Sequence, residues 1–297
     1  MKELAKYNGE INLLELQNDF IDYVDVSDLT IHLYKEGIKC FMEYIERNEI
    51  KNPTRDDLKA FRKELKESKS TNTVNSYLSA LRVFFNYLEQ RNIYTNITRD
   101  VKNIKTNKQP KKQVLTLQQT KNMYECLVDA REKAIFSLAI TTGLRATEIA
   151  NAKLENIKMF NDEIVLFVKT KMRDDESEYV KLSEQVLNDI KEYVGNRTSG
   201  NIFVSTSHNN NGSGMTSTSI RSIVKTIFRR FGFDDNGFST HSLRRTCATL
   251  MYQNGISIFD IKQVLHHKSI STTQIYLNQA TRDGNKSEQL LSDLLFD

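Results

Sequence analysis

Five side chains in the C-terminal half combine into a set suited to chemistry: Arg145 in TTGLRATEI, His241 and Arg244 in HSLRRT, and His267 and Tyr276 in LHHKSISTTQIY. The chemistry they suit is phosphodiester transfer. A phosphoryl-transfer transition state spreads negative charge over its non-bridging oxygens, and a planar guanidinium offers those oxygens paired, permanently charged donors. Tyr276 supplies a hydroxyl nucleophile. Its phenol ionises near pH 10, about three units above neutrality, so attack needs a base or a strongly cationic pocket, and two arginines with two imidazoles can provide both. Taken singly, each residue has a plainer reading: Arg145 as a surface ion-pair partner of Glu148, His241 as a helix cap, Tyr276 as an amphipathic core residue.

The elements that must carry these residues are mixed, whereas those before them are helical. Apolar residues recur at helical spacing over Tyr34, Ile38, Phe41, Met42 and Ile45, over Leu58, Phe61 and Leu65, and from Val74 through Leu88. Three amphipathic stripes predict a small bundle, with start signals at Thr54 after Pro53 and at Ser70 to Asn72. Between Ile104 and Gln113, IKTNKQPKKQ is polar, basic and aperiodic, and reads as an interdomain linker. Extended, it reaches about 30 Å, enough to pass along a DNA duplex. Beyond it, Leu117 to Ile140 is helical in pattern. Ile164, Leu166 and Val168 alternate as a strand, Tyr179 to Leu182 reads as its hairpin partner, and Ile202 to Val204 is a candidate third strand. The low-complexity loop from Ser205 to Gly214 has no side chains to bury and is expected to be a flexible excursion. The fold class is therefore mainly α with a small antiparallel β-sheet: a helical bundle followed by a mixed α+β domain.

At 297 residues the chain has room for two ordinary domains. Its net charge of +4 is unevenly spread, with −6 over residues 1–50, +9 over 51–113 and near balance thereafter. A basic middle suits a face that meets a polyanion, and equally a solvated helix surface. Cys40, Cys126 and Cys247 lack the spacing of a zinc site or the even count of a disulfide framework. Neither a leader-like apolar run nor a bilayer-length segment is evident, which makes the cytoplasm the expected location.

TGLRATEI, HSLRRT and LHHKSISTTQIY together resemble the motif set of the tyrosine recombinases, or phage integrases. Residues 12–104 look like the family's SAM-like helical core-binding domain, 105–113 like its linker, and 114–283 like its catalytic domain, behind an N-terminal tail of residues 1–11. The separation of His267 from Arg244 and from Tyr276 is of the family's kind, and it favours the joint reading of the five residues. The resemblance implies that Arg145 and Arg244 clamp the scissile phosphate, His267 donates to a non-bridging oxygen, His241 assists proton movement, and Tyr276 attacks phosphorus to give a 3′-phosphotyrosyl enzyme. A hairpin lysine would protonate the leaving 5′-oxygen. FVKTKMR offers Lys169 and Lys171 on one side of a strand, with Lys169 the better match and Lys171 still open. Lys111, Lys112, Lys171 and Arg245 are expected DNA contacts. Neither metal nor other cofactor is implied. The partners implied are double-stranded DNA at a specific site and, on paired sites, a homo-tetramer exchanging strands through a Holliday junction. The two domains would form a C-shaped clamp, and a monomer is expected without DNA. With about ten residues ahead of the helical domain, a simple core-site enzyme of a mobile element is the expectation. A type IB topoisomerase activity and a catalytically idle DNA-binding regulator are the alternatives.

Two features depart from the family pattern. His266 stands where the family commonly has glycine, and if that position needs a positive φ a histidine there costs about 1–2 kcal/mol. The turn MRDDES is acidic enough to be repelled by DNA unless it points away. The closing segment, 284–297, places Leu290, Leu291, Leu294 and Leu295 on one helical face too short to stand alone, and by resemblance it docks on a neighbouring protomer.

Overall fold

The computed structural model describes residues 13–105, 114–169, 178–207, 211–233 and 237–283, and it divides into two compact units at residues 109/110. The linker lysines Lys111 and Lys112, Lys171, the acidic turn MRDDES and the closing leucine segment lie outside the described residues.

The first unit contains α1 (Leu13–Tyr23), α2 (Asp28–Arg47), α3 (Arg55–Ser68) and α4 (Thr71–Gln90). The three apolar stripes become α2, α3 and α4, and α1 is an addition that inserts Phe20 between the rings of Phe84 and Tyr87. Thr54 and Asp57 form a reciprocal capping box at α3, and Ser70 caps α4. Gly37 lets α2 approach α4 closely, because a Cβ there would sit 3.1 Å from Ala80 and from the Tyr77 backbone. Beyond α4, the side chain of Asn75 both donates to and accepts from the backbone of Ile104, pinning the start of the linker.

The second unit opens where Leu115 N–H donates to the Thr246 hydroxyl. The pattern read as helical from Leu117 to Ile140 is two helices, α5 (Leu117–Glu125) and α6 (Ala130–Thr142), because Asp129 caps the second. Helix α6 is buried nearly all round and forms the middle of the core. Short α7 (Ala146–Asn151) leads to an antiparallel sheet ordered β1 (Ile157–Phe160), β2 (Glu163–Val168), β3 (Glu178–Lys181). Then follow α8 (Glu184–Val194), α9 (Ser217–Arg230), α10 (Thr240–Gln253), α11 (Ile258–Val264) and α12 (Ile270–Asp283).

Ile202 to Val204 is not the third strand. That place is taken by β1, joined to β2 through Asn161 and Asp162, both at positive φ as a two-residue hairpin turn requires. The 201–204 segment makes only isolated bridges. Its polar backbone is satisfied elsewhere: Ile202 N–H donates to Ala152, and the Arg197 guanidinium donates to the carbonyls of Asn201 and Ile202. Both ends of the following loop are also held, Ser205 N–H donating to Ser213 and Gly212 N–H to Ser205. No helix among the described residues is long and apolar enough to cross a membrane.

Candidate active site

Arg145 is placed by a helix ending and another beginning. Gly143 closes α6 at φ +65, where a Cβ would also come within 2.4 Å of the Leu265 side chain, so that position favours glycine on two counts. Two residues on, Arg145 is the N-cap of α7. Glu148, its side chain 1% exposed, accepts from the Arg145 backbone N–H at 2.7 Å and from the guanidinium at 2.6 Å. Arg145 is thus the ion-pair partner of Glu148, but a buried carboxylate holds it in place rather than a surface one.

On α10, His241, Arg244 and Arg245 share a face through their three- and four-residue spacing. Ser239 and Ser242 form the helix's capping box, so His241 does not act as the cap. Arg244 is 1% exposed. Its guanidinium donates to the carbonyl of Gly143 at 2.6 Å and to that of Leu265, joining three motifs at one residue. Its Nε is buried without a hydrogen-bond partner among the described residues, a donor that a phosphate oxygen would satisfy. Burial and the nearby Arg145 lower its pKa below that of an ordinary guanidinium, and Glu148 and Tyr276 oppose that shift.

Helix α12 puts Thr273, Tyr276 and Leu277 on one side, with Thr273 and Leu277 fully buried. Tyr276 packs its ring against the small apolar cluster of Ala248, Ile261, Leu265 and Leu277 while its hydroxyl lies 2.9 Å from His241 Nε2. The Arg245 guanidinium sits 5.6 Å from the centre of the same ring. Burial, then Arg245, Arg244 and Arg145, lower the His241 pKa, so its imidazole is neutral at pH 7 and Nε2 can accept the phenolic proton.

His267 is buried, with Nδ1 2.9 Å from the Thr273 hydroxyl and its ring 5.3 Å from that of Tyr276. Burial first, then the surrounding arginines and histidines, push its pKa down to about 3. A neutral imidazole accepting at Nδ1 from Thr273 carries its proton on Nε2, the form that can donate to a phosphate oxygen. His267 and Arg145 line one cleft of about 730 Å³ with strand β3. Lys169, exposed just past the end of β2, is not among the residues lining that cleft.

The structure therefore gathers Arg145, His241, Arg244, His267 and Tyr276. Thr273 and the positioning role of Glu148 were not foreseen. Their signal was available, since Thr273 stands three residues before Tyr276 and Glu148 three after Arg145.

The depressed His267 pKa has a consequence for stability. Below about pH 6.5 the unfolded chain takes up a proton that the folded chain refuses until about pH 3, so this stabilisation is complete above pH 6.5 and declines toward pH 3. Each unit of depression corresponds to about 1.4 kcal/mol. The melting temperature should fall between pH 7 and 4, and His267→Asn should make that fall shallower.

The phage integrase family profile matches residues 110–282, and the profile for the phage integrase N-terminal SAM-like domain matches 18–92. The chain belongs to the phage integrase family, the tyrosine recombinases. Similar proteins include tyrosine recombinase XerD of Listeria innocua, 27% identical over 88% of this chain and 93% of its own. Tyrosine recombinase XerA of Pyrococcus furiosus is 27% identical over 93% and 96%. Among solved structures, the XerH site-specific recombinase bound to palindromic difH in a post-cleavage complex superposes with a TM-score of 0.73 at 20% identity, covering 94% of this chain and 84% of that one. The Tn1549 transposon integrase with transposon right-end DNA gives 0.70 at 17% identity over 97% and 100%. These two likenesses show a shared fold.

Proposed function

We propose that the chain cuts and rejoins double-stranded DNA at a specific site through a 3′-phosphotyrosyl intermediate. The observation that carries this reading is the Tyr276 hydroxyl held 2.9 Å from His241 Nε2 beside the buried Arg244. As Tyr276 Oη bonds to phosphorus, its proton passes to His241. Arg145, Arg244 and the Nε2–H of His267 meet the charge gathering on the non-bridging oxygens. The 5′-oxygen leaves with a proton from Lys169 of the hairpin, and a 5′-hydroxyl from another strand reverses the sequence. One ester replaces another, so the step needs no ATP, and the guanidiniums supply the charge that a metal ion supplies elsewhere.

The finer reading is that four protomers join two sites, exchange strands through a Holliday junction and move a mobile element in the cytoplasm. Residues 12–104 would serve as the core-binding domain, 105–113 as the linker with Lys111 and Lys112 on phosphates, and 114–283 as the catalytic domain; Lys171 and Arg245 would be further DNA contacts. The relatives are recombinases and integrases, which does not favour a topoisomerase or an idle regulator. The test is a plasmid with two copies of the bound site. Recombination between them, with no relaxation of an unrelated supercoiled plasmid, is expected; relaxation of unrelated DNA by a monomer would contradict it.

The tail 284–297 would dock on a neighbouring protomer through its leucine face. Burying four leucines contributes about 1.5–3 kcal/mol each before ordering is charged against it. Truncation after Asn285 should leave single-site binding within about threefold and deplete paired-site complexes on a native gel. An equal loss of single-site binding, or a lower melting temperature of the monomer, would place the tail on its own domain.

A further inference from the structure

His266 occupies the turn between α11 and α12 in a left-handed conformation, φ +48, that a histidine adopts only at a cost. The turn is a Schellman motif: His266 N–H donates to Gln263 and His267 N–H to Lys262. Glycine would satisfy this backbone without strain, so the side chain should have its own task. That side chain is only 5% exposed. Its Nε2 lies 3.2 Å from the Tyr179 carbonyl, which can only accept, so Nε2 carries the proton and donates. The Glu178 carboxylate is 3.9 Å from the same nitrogen. Nδ1 is buried with no hydrogen-bond partner among the described residues, so the ring is held from one side, by β3.

Glu178 and Tyr179 are the β3 residues paired with Val168 and Phe167 of β2, and Lys169 follows directly. We propose that His266 is a positioning residue for leaving-group protonation: it ties the turn presenting His267 to the strand pair from which Lys169 emerges, fixing the acid relative to the phosphate clamp. This role rests on the hairpin lysine being the leaving-group acid. The backbone of the turn alone would present His267 equally well with glycine, whereas only a side chain reaching β3 couples the two groups.

The experiment compares full-length wild type, His266→Gly, His266→Asn and Lys169→Ala on a nicked suicide substrate with an ordinary or a 5′-bridging phosphorothiolate linkage at the scissile position. A thiolate leaves without a proton, so a defect confined to leaving-group protonation disappears. Both His266 variants tolerate positive φ, and His266→Gly should melt no lower than wild type. On ordinary DNA both should cleave roughly 10- to 100-fold more slowly, as misplacement of a catalytic group predicts. On thiolate DNA both should return to within about threefold of wild type, as should Lys169→Ala. Wild-type cleavage of ordinary DNA by His266→Gly and His266→Asn would overturn the role. So would a defect that persists on thiolate DNA while Lys169→Ala is rescued, which would locate the effect at His267 and leave the nucleophile and clamp assignments standing. Failure of Lys169→Ala itself to be rescued would remove the lysine's acid role, and that of His266 with it.

Discussion

Tyr276→Phe should abolish covalent attachment to DNA while leaving the protein folded and able to bind its site. The substitution removes one oxygen and keeps the ring that packs against Leu265 and Leu277. The lost contact to His241 is worth about 1 kcal/mol of stability, too little to unfold a domain with so extensive a buried core. Catalytically the loss is of another order, because among the described residues no other hydroxyl is hydrogen-bonded to the base: cleavage should drop by on the order of 10⁴-fold or more. The readouts are a denaturation-resistant adduct on a nicked suicide substrate and a gel-shift titration on intact DNA. A Phe variant that still forms the adduct would exclude Tyr276 as the nucleophile.

Arg244→Lys should be the most damaging charge-preserving change. The guanidinium of Arg244 holds the Gly143 and Leu265 carbonyls at once, and its Nε remains for an incoming oxygen. A lysine ammonium has three donors on one atom and cannot span those positions. One buried carbonyl left without a donor costs about 1–3 kcal/mol, which thermal melting will show. Removing a donor aimed at developing negative charge costs about 10²–10³-fold in rate. Adduct formation should therefore fall by at least that factor with DNA affinity little changed. A Lys variant that cleaves within tenfold of wild type would mean that Arg244 is chiefly structural.

The parts of this molecule legible in its sequence are those in which one chemical demand fixes one residue type. Apolar periodicity located α2, α3 and α4 because each buries a continuous stripe, and the alternation of Ile164, Leu166 and Val168 located β2 because one face of that strand meets the core. Strand β1 escaped because Met159 and Phe160 stay exposed, so burial imprints no alternation on it. Conversely, Ile202 and Phe203 are fully buried and look like a strand, yet Ile202 bonds through its N–H to Ala152 and through its carbonyl to Arg197, and the Phe203 carbonyl accepts from Met215 N–H. Apolar sequence reports burial and is silent on where hydrogen bonds go. The same division holds in the site. The five reactive side chains were readable as types and Glu148 as a partner of Arg145, whereas the Thr273 hydroxyl on His267 and the burial of the Glu148 carboxylate depend on side-chain geometry. Residue 266 does adopt the positive φ that its place in the motif raised as a condition, but nothing in the sequence showed that its imidazole would turn back onto β3.

The covalent complex carries the decisive information. Wild-type protein trapped on a nicked suicide substrate, digested and sequenced by mass spectrometry, should yield a single DNA-linked peptide from SISTTQIY with the modification on Tyr276. End-labelling should show the attachment at a 3′-phosphate, with a free 5′-hydroxyl on the released strand. Attachment through a 5′-phosphate, or through any residue other than Tyr276, would contradict the assignment of nucleophile and polarity together.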